Sequence, residues 1–145
     1  KGKKAIPYLK EAFSLAYNKD FLVLIGDSAF SVGAIDLALS SYKKAFSLDK
    51  HDRLLCMKIA KIYEKKDFLD NAIRYYELAL KETEGSLAKR EIIIKLANLY
   101  KKKGDFTKAI RLYKEALKIE EDEEAYIQLA NVYMEIGKDE EALRL

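Results

Sequence analysis

The chain has 145 residues, half of them hydrophobic and 35% charged, with one proline, no tryptophan and a formal net charge of +3. That length ordinarily makes one domain, and the charge is too small to argue for a nucleic-acid partner. No apolar run approaches the roughly 20 residues that a bilayer-spanning helix needs, and the single cysteine, Cys56, excludes an internal disulfide and suits a reducing compartment.

Taken in order, the apolar residues recur at three- and four-residue spacing, the signature of amphipathic helices. Lys3 to Tyr17 reads as a helix that admits Pro7 only near its first turn. Asp20 to Ser31 and Ala34 to Leu48 follow as a pair, then the polar link Asp49-Lys50-His51-Asp52. Asp52 to Lys66 and Phe68 to Thr83 form a second pair. Gly85 then ends one helix and Ser86 caps the next, which starts early, at about Leu87. Phe106 to Glu120 answers it across Gly104-Asp105, where glycine takes a positive φ and aspartate caps the following helix. After the acidic link Glu120 to Glu124, Ala125 to Ile136 and Asp139 to Leu145 make a last pair.

The same figure recurs through these pairs. Ala97-x2-Tyr100, Gly104 and Ala109-x3-Tyr113-x2-Ala116 match Ala60-x2-Tyr63, Asp67 and Ala72-x3-Tyr76-x2-Ala79. Gly26-x2-Ala29, Gly33 and Ala38-x3-Tyr42-x2-Ala45 match again, as do Ala130-x2-Tyr133, Gly137 and Ala142. Gly26 to Ala60 is a step of 34 residues and Ala97 to Ala130 a step of 33. The hinge column Gly33, Asp67, Gly104, Gly137 fits a residue held in the left-handed region, where glycine is cheapest and aspartate is tolerated.

A period near 34 with two helices per unit resembles the tetratricopeptide repeat, over nearly the whole chain. The tryptophan often found early in that unit and the proline common near its end are absent here. The resemblance implies an all-α, right-handed superhelical solenoid of antiparallel helix pairs. On this reading the array divides into a second helix of a partial repeat (3–17), repeats at 19–52, 53–89 (with a longer link) and 90–122, and a truncated repeat at 123–145. Such ends are expected of a fragment of a longer protein. Lys1-Gly2-Lys3-Lys4 leads into no apolar signal core, since Pro7, Lys10 and Glu11 interrupt it, and the cytoplasm is favoured on that ground alone.

The residue types that carry catalysis are not assembled by spacing. His51 is the only histidine, and with Cys56 it lacks the further ligands that a zinc site needs. A Cys–His nucleophile pair would also need an orienting third group. There is no phosphate loop, nucleophile elbow or paired-histidine helix. We therefore expect no enzyme activity, no cofactor and no metal.

A repeat array offers a surface instead. In the resembling family the first helix of each hairpin lines the concave groove. Helical arithmetic from the core stripe Ile93, Leu96, Ala97, Tyr100 gives the lining as four matching sets. These are Asp20, Val23, Asp27, Phe30; Leu54, Met57, Lys61, Glu64; Glu91, Ile94, Asn98, Lys101; and Glu124, Ile127, Asn131, Met134. One column is entirely apolar: Val23, Met57, Ile94, Ile127. It either seats side chains of a bound segment or packs against the neighbouring first helix. Beside it Asp27, Lys61, Asn98, Asn131 offer hydrogen bonds to a peptide backbone.

Chaperone adaptors of this family grip a terminal carboxylate with lysine and asparagine from three successive first helices. Here those columns hold Val23 and Asp27, Lys58, then Glu91 and Lys95, or one repeat on, Met57 and Lys61, Lys95, then Glu124 and Gln128. Neither frame is complete, and the acids would repel a carboxylate. Lys58, Lys61, Lys65, Lys95, Lys101 and Lys102 cluster in the middle repeats, either as solvated surface or as a groove that prefers acidic side chains. Most tyrosines fall on core columns, which argues against RNA stacking. The reading is a protein-interaction scaffold binding a peptide or protein segment through Val23, Asp27, Met57, Lys58, Lys61, Ile94, Lys95, Asn98, Lys101, Ile127 and Asn131. A recruiting segment of a larger enzyme, or an array that assembles with copies of itself, are the alternatives.

Overall fold

The computed structural model describes residues 2–138, 141, 144 and 145, and among these it contains helices and no strand. A short 3-10 turn, Gly2–Ala5, leads into α1 (Ile6–Leu15). There follow α2 (Lys19–Ser31), α3 (Ile35–Leu48), α4 (Arg53–Lys65), α5 (Leu69–Lys81), α6 (Ser86–Lys103), α7 (Phe106–Ile119) and α8 (Glu123–Glu135). The fold is an all-α superhelix of antiparallel pairs, α2 with α3, α4 with α5 and α6 with α7, each second helix also packing on the next first helix.

Four hinges share one geometry. Gly33 (φ 83°), Asp67 (φ 62°), Gly104 (φ 91°) and Gly137 (φ 77°) all take the left-handed conformation. The residue after each donates its N–H five residues back, Ala34 to Ala29, Phe68 to Tyr63, Asp105 to Tyr100 and Lys138 to Tyr133, at 2.8–2.9 Å. This bond satisfies a carbonyl that the helix end would otherwise orphan. Asn18, Asp52, Asp105 and Asp122 cap the following helices with side-chain oxygens.

Two local readings are corrected. The helix expected over 3–17 is shorter: Gly2–Ala5 forms a 3-10 turn and α1 runs Ile6–Leu15, with Pro7 in its first turn, where the missing N–H has no helical partner to lose. Ser86 does not cap α6: it is the first helical residue, and Gly85, at φ 91°, occupies the cap position without a side chain to offer. Of the last expected helix, residues 139, 140, 142 and 143 lie outside those described, and Ala142 with them.

The core follows the small–aromatic pattern. Ala29, Ala38, Ala45, Ala60, Ala72 and Ala79 are wholly buried, as are Ala97, Ala109 and Ala116, and the rings of Tyr42, Tyr76 and Tyr113 fill the space around them. A Cβ built on Gly26 would lie 2.5 Å from the Tyr42 ring, so glycine alone admits this approach.

Ion pairs tie successive repeats at both edges of the stack. At the hinge edge Lys66 meets Asp36, Lys102 meets Asp67 at 2.9 Å, and Lys103 meets Asp70 at 2.6 Å. At the opposite edge Lys19 bridges Asp49 and Asp52 at 3.0 and 3.1 Å, His51 meets Glu82 at 2.9 Å, and Arg90 meets Asp122 at 2.7 Å.

Candidate binding groove

Shallow depressions open between α2 and α4 and between α6 and α8; of the residues expected to line a groove, Val23, Asp27, Lys58, Lys61, Asn98 and Lys101 line them, while Met57, Ile94, Lys95, Ile127 and Asn131 do not. Between α2 and α4 one of about 230 Å³ brings Asp20 and Val23 together with Leu54 and Lys58. A second, of about 210 Å³, is lined by Asp27, Phe30, Tyr42, Lys58 and Lys61. Between α6 and α8, Asn98, Lys101, Lys102, Gln128 and Glu135 surround a more open one of about 490 Å³.

The apolar column divides. Val23, Met57 and Ile94 are half-buried and lean on the core, leaving part of each side chain open. Ile127, in α8, is 54% exposed. A side chain covered on one flank and open on the other is held in place by the fold and still presents apolar surface.

Two members of the polar column, Asp27 and Asn98, are committed to the fold. Asp27 accepts the Tyr42 hydroxyl and, at 2.6 Å, the ammonium of Lys58. Asn98 accepts the Tyr113 hydroxyl. Burial holds the Tyr113 hydroxyl up to about 12, and burial with the Asp27 carboxylate raises that of Tyr42, so both remain proton donors at neutral pH. Sequence reasoning missed these bonds, although the interval was readable: tyrosine follows its acceptor by 15 residues in both repeats. Lys61 is exposed, and Asn131 is half-buried.

The lysine cluster separates in the same way. Lys58 also lies 5.6 Å from the Tyr42 ring centroid, Lys65 stands 5.2 Å over Phe30, and Lys101 donates to Gln128 at 2.9 Å. Lys102 pairs with Asp67. Lys61 and Lys95 make no ion pair or hydrogen bond among the described residues. Gln128 is a groove residue that the columns had placed only in the clamp frame.

His51 and Cys56 do not form a pair. His51 is exposed and bonds Glu82, while the Cys56 thiol is fully buried and pushed up to about 11 by burial, which leaves it protonated. Among the described residues no group of three or more His, Cys, Asp or Glu could hold a metal ion, and no helix is long and apolar enough to cross a membrane.

Stacked helix pairs with left-handed hinges and a lined first-helix face define a helical-repeat array of the protein-interaction class. Tetratricopeptide-repeat models match residues 53–122 and, independently, 100–145. The chain belongs to the tetratricopeptide-repeat family. No curated protein matches it in sequence. Solved structures of similar fold include the crystal structure of MamA, 22% identical over 99% of this chain and 83% of that one, with a TM-score of 0.80. MamA AMB-1 is 19% identical over 99% and 78% (TM-score 0.82), and the MamA RS-1 ArsTM double mutant 16% over 99% and 80% (TM-score 0.79). At such identities the likeness is one of fold.

Proposed function

We propose that the array is a non-catalytic scaffold that holds a peptide or protein segment along the first-helix face. The observation that carries this reading is the set of depressions on the first-helix face, between α2 and α4 and between α6 and α8, lined by the half-buried Val23 and by polar groups. Val23, Met57, Ile94 and Ile127 supply the apolar contacts. Asn131 and the open edges of Asp27, Asn98, Lys58 and Lys101 supply polar ones. Panning a random-peptide display library against the array tests it: peptides recovered by the wild type should be lost with Ile94→Asp while helicity is kept. Recovery of no peptide, or of peptides indifferent to Ile94→Asp, would remove the groove from the account.

Self-association is a second reading, favoured by one observation. A depression of about 410 Å³ between α1 and α2 is lined almost wholly by apolar side chains, with Phe21 63% and Leu24 60% exposed. Light scattering over a concentration range, with Leu24→Glu as the control, decides whether copies associate there.

A further inference from the structure

We propose that the outer face of the second helix α7, turned away from the first-helix groove, is a docking surface for an acidic helical segment of a protein partner. In α7 the buried residues Ala109, Leu112, Tyr113 and Ala116 share one side of the helix. Lys108, Arg111, Lys114 and Lys118 are all exposed and recur at three- and four-residue spacing on the opposite side. At the rise of an α-helix they form a row roughly 15 Å long. Glu115 is the one acidic side chain on that face, and it makes no ion pair among the described residues.

The other second helices supply the comparison. Their shared alanine–tyrosine–alanine core, Ala38-Tyr42-Ala45, Ala72-Tyr76-Ala79 and Ala109-Tyr113-Ala116, sets α3, α5 and α7 in one frame. In that frame the four cations of α7 correspond to Asn71, Arg74, Glu77 and Lys81 in α5, and to Leu37, Ser40, Lys43 and Ser47 in α3. Those two rows are mixed, the ordinary composition of a solvated face, and Glu77 accepts the Tyr100 hydroxyl at 2.9 Å. Of the three helices, α7 alone carries a cation at every position. The row is also largely unspent. Arg111 and Lys118 make no ion pair or hydrogen bond among the described residues. Lys108 stands 5.2 Å from the Tyr100 ring centroid and 4.0 Å from the Asp105 carboxylate, and Lys114 lies 5.7 Å from the ring of Tyr133. Rings on α6 and α8 thus steady these two side chains without cancelling their charge.

Four like charges in line raise the local potential and favour a partner whose anions repeat at the same interval. Carboxylates on one face of a helix do so, about one per turn, and accept charge-assisted hydrogen bonds. A bilayer is the poorer match. The row holds no apolar or aromatic side chain to enter lipid, and charge by itself is only one of the two signals that stable anchoring takes. A single nucleic-acid strand is poorer too, because Tyr113 is fully buried and α7 offers no exposed ring on which a base could stack.

The test is fluorescence anisotropy with a labelled, C-terminally amidated peptide of alanine and glutamate whose glutamates line one helix face. A second peptide of the same composition spreads them around the helix. The lined peptide should bind the array about tenfold more tightly than the other, with an affinity that falls as salt is raised. Arg111→Glu/Lys118→Glu should weaken that binding by about tenfold or more, and Arg111→Gln/Lys118→Gln by less in the same direction. Two controls should leave it unchanged: Lys4→Glu/Lys10→Glu, the same change of charge at exposed positions at the other end of the array, and Ile94→Asp in the groove. Circular dichroism confirms that each variant is folded. Failure of the lined peptide to bind, equal binding of the two peptides, or an equal loss in either control overturns the docking surface. So does a lined peptide that stays unbound while phosphatidylserine vesicles or polyuridine bind and are released by Arg111→Glu/Lys118→Glu, since the row would then serve a membrane or RNA.

Discussion

The buried ring of Tyr113 in α7 carries its hydroxyl to the side chain of Asn98, fifteen residues earlier in α6, and so joins the core of a hairpin to the face that lines the groove. Tyr42 and Asp27 repeat the arrangement two hairpins earlier. A residue that sequence columns offer to a ligand is thus also the acceptor that satisfies a buried donor.

Replacing Asn98 with Leu should therefore destabilise the protein by about 1–3 kcal/mol, the usual cost of stranding a buried polar group. Combining it with Tyr113→Phe should recover most of that loss, because neither partner is then left unpaired. Chemical denaturation of the two single variants and the double variant gives the coupling; strictly additive losses would mean the bond contributes nothing.

Gly26→Ala should lower stability even though alanine is the better helix former by about 1 kcal/mol. The added Cβ would sit 2.5 Å from a ring carbon of Tyr42, whose hydroxyl is tied to Asp27. At the corresponding Ala60 and Ala97 the methyl is already accommodated. A net loss of about 1–2 kcal/mol is expected in urea melts, and a rise in Tm would show that the ring moves aside freely.

Ala109→Leu tests the small-residue column directly. Ala109 is wholly buried, so the larger side chain overpacks a helix contact at a cost of about 1–3 kcal/mol. An unchanged melting curve would mean that this column is not a close contact.

His51 makes one edge rung sensitive to pH. Its hydrogen bond to Glu82 raises its pKa above the ordinary 6.5, so the protonated form is favoured in the folded state. The stabilisation is complete below that ordinary value and disappears as pH climbs through the raised one. The wild type should melt above Glu82→Gln at about pH 5.5, and the gap should close at about pH 8.5. The side chain is 81% exposed, so the effect is small and salt-sensitive. A gap that stays constant with pH would place the Glu82 contribution elsewhere.

How much was legible depended on whether a position admits few residue types. The left-handed hinges accept glycine or, at Asp67, aspartate, and so all four stood out as a column before any coordinates. The alanine–tyrosine alternation was equally readable, because close helix approach excludes larger residues at Ala38, Ala45 and their counterparts. The early start of α6 also followed from chain arithmetic, while its cap did not: Gly85 and Ser86 are both acceptable caps, and backbone geometry chose the glycine. Side-chain pairs such as Lys58 with Asp27 or Lys101 with Gln128 depend on the offset between helices 27 to 31 residues apart, which periodicity does not specify. For that reason the columns could offer candidates for a groove but could not say which lysines were already engaged.

The edge rungs reach no further than the adjoining repeat: Lys19–Asp49, Lys66–Asp36, His51–Glu82 and Arg90–Asp122 span 30 to 32 positions each. A tensile load on the two ends is therefore borne by one boundary at a time, with no long-range clasp among the described residues to share it. Under force the array would lengthen like a zip, hairpin by hairpin. Each released unit of about 34 residues would pay out roughly 120 Å of chain while the rest stays wound. Such a molecule is compliant along its axis, a mechanical property set by the range of its contacts rather than by their strength.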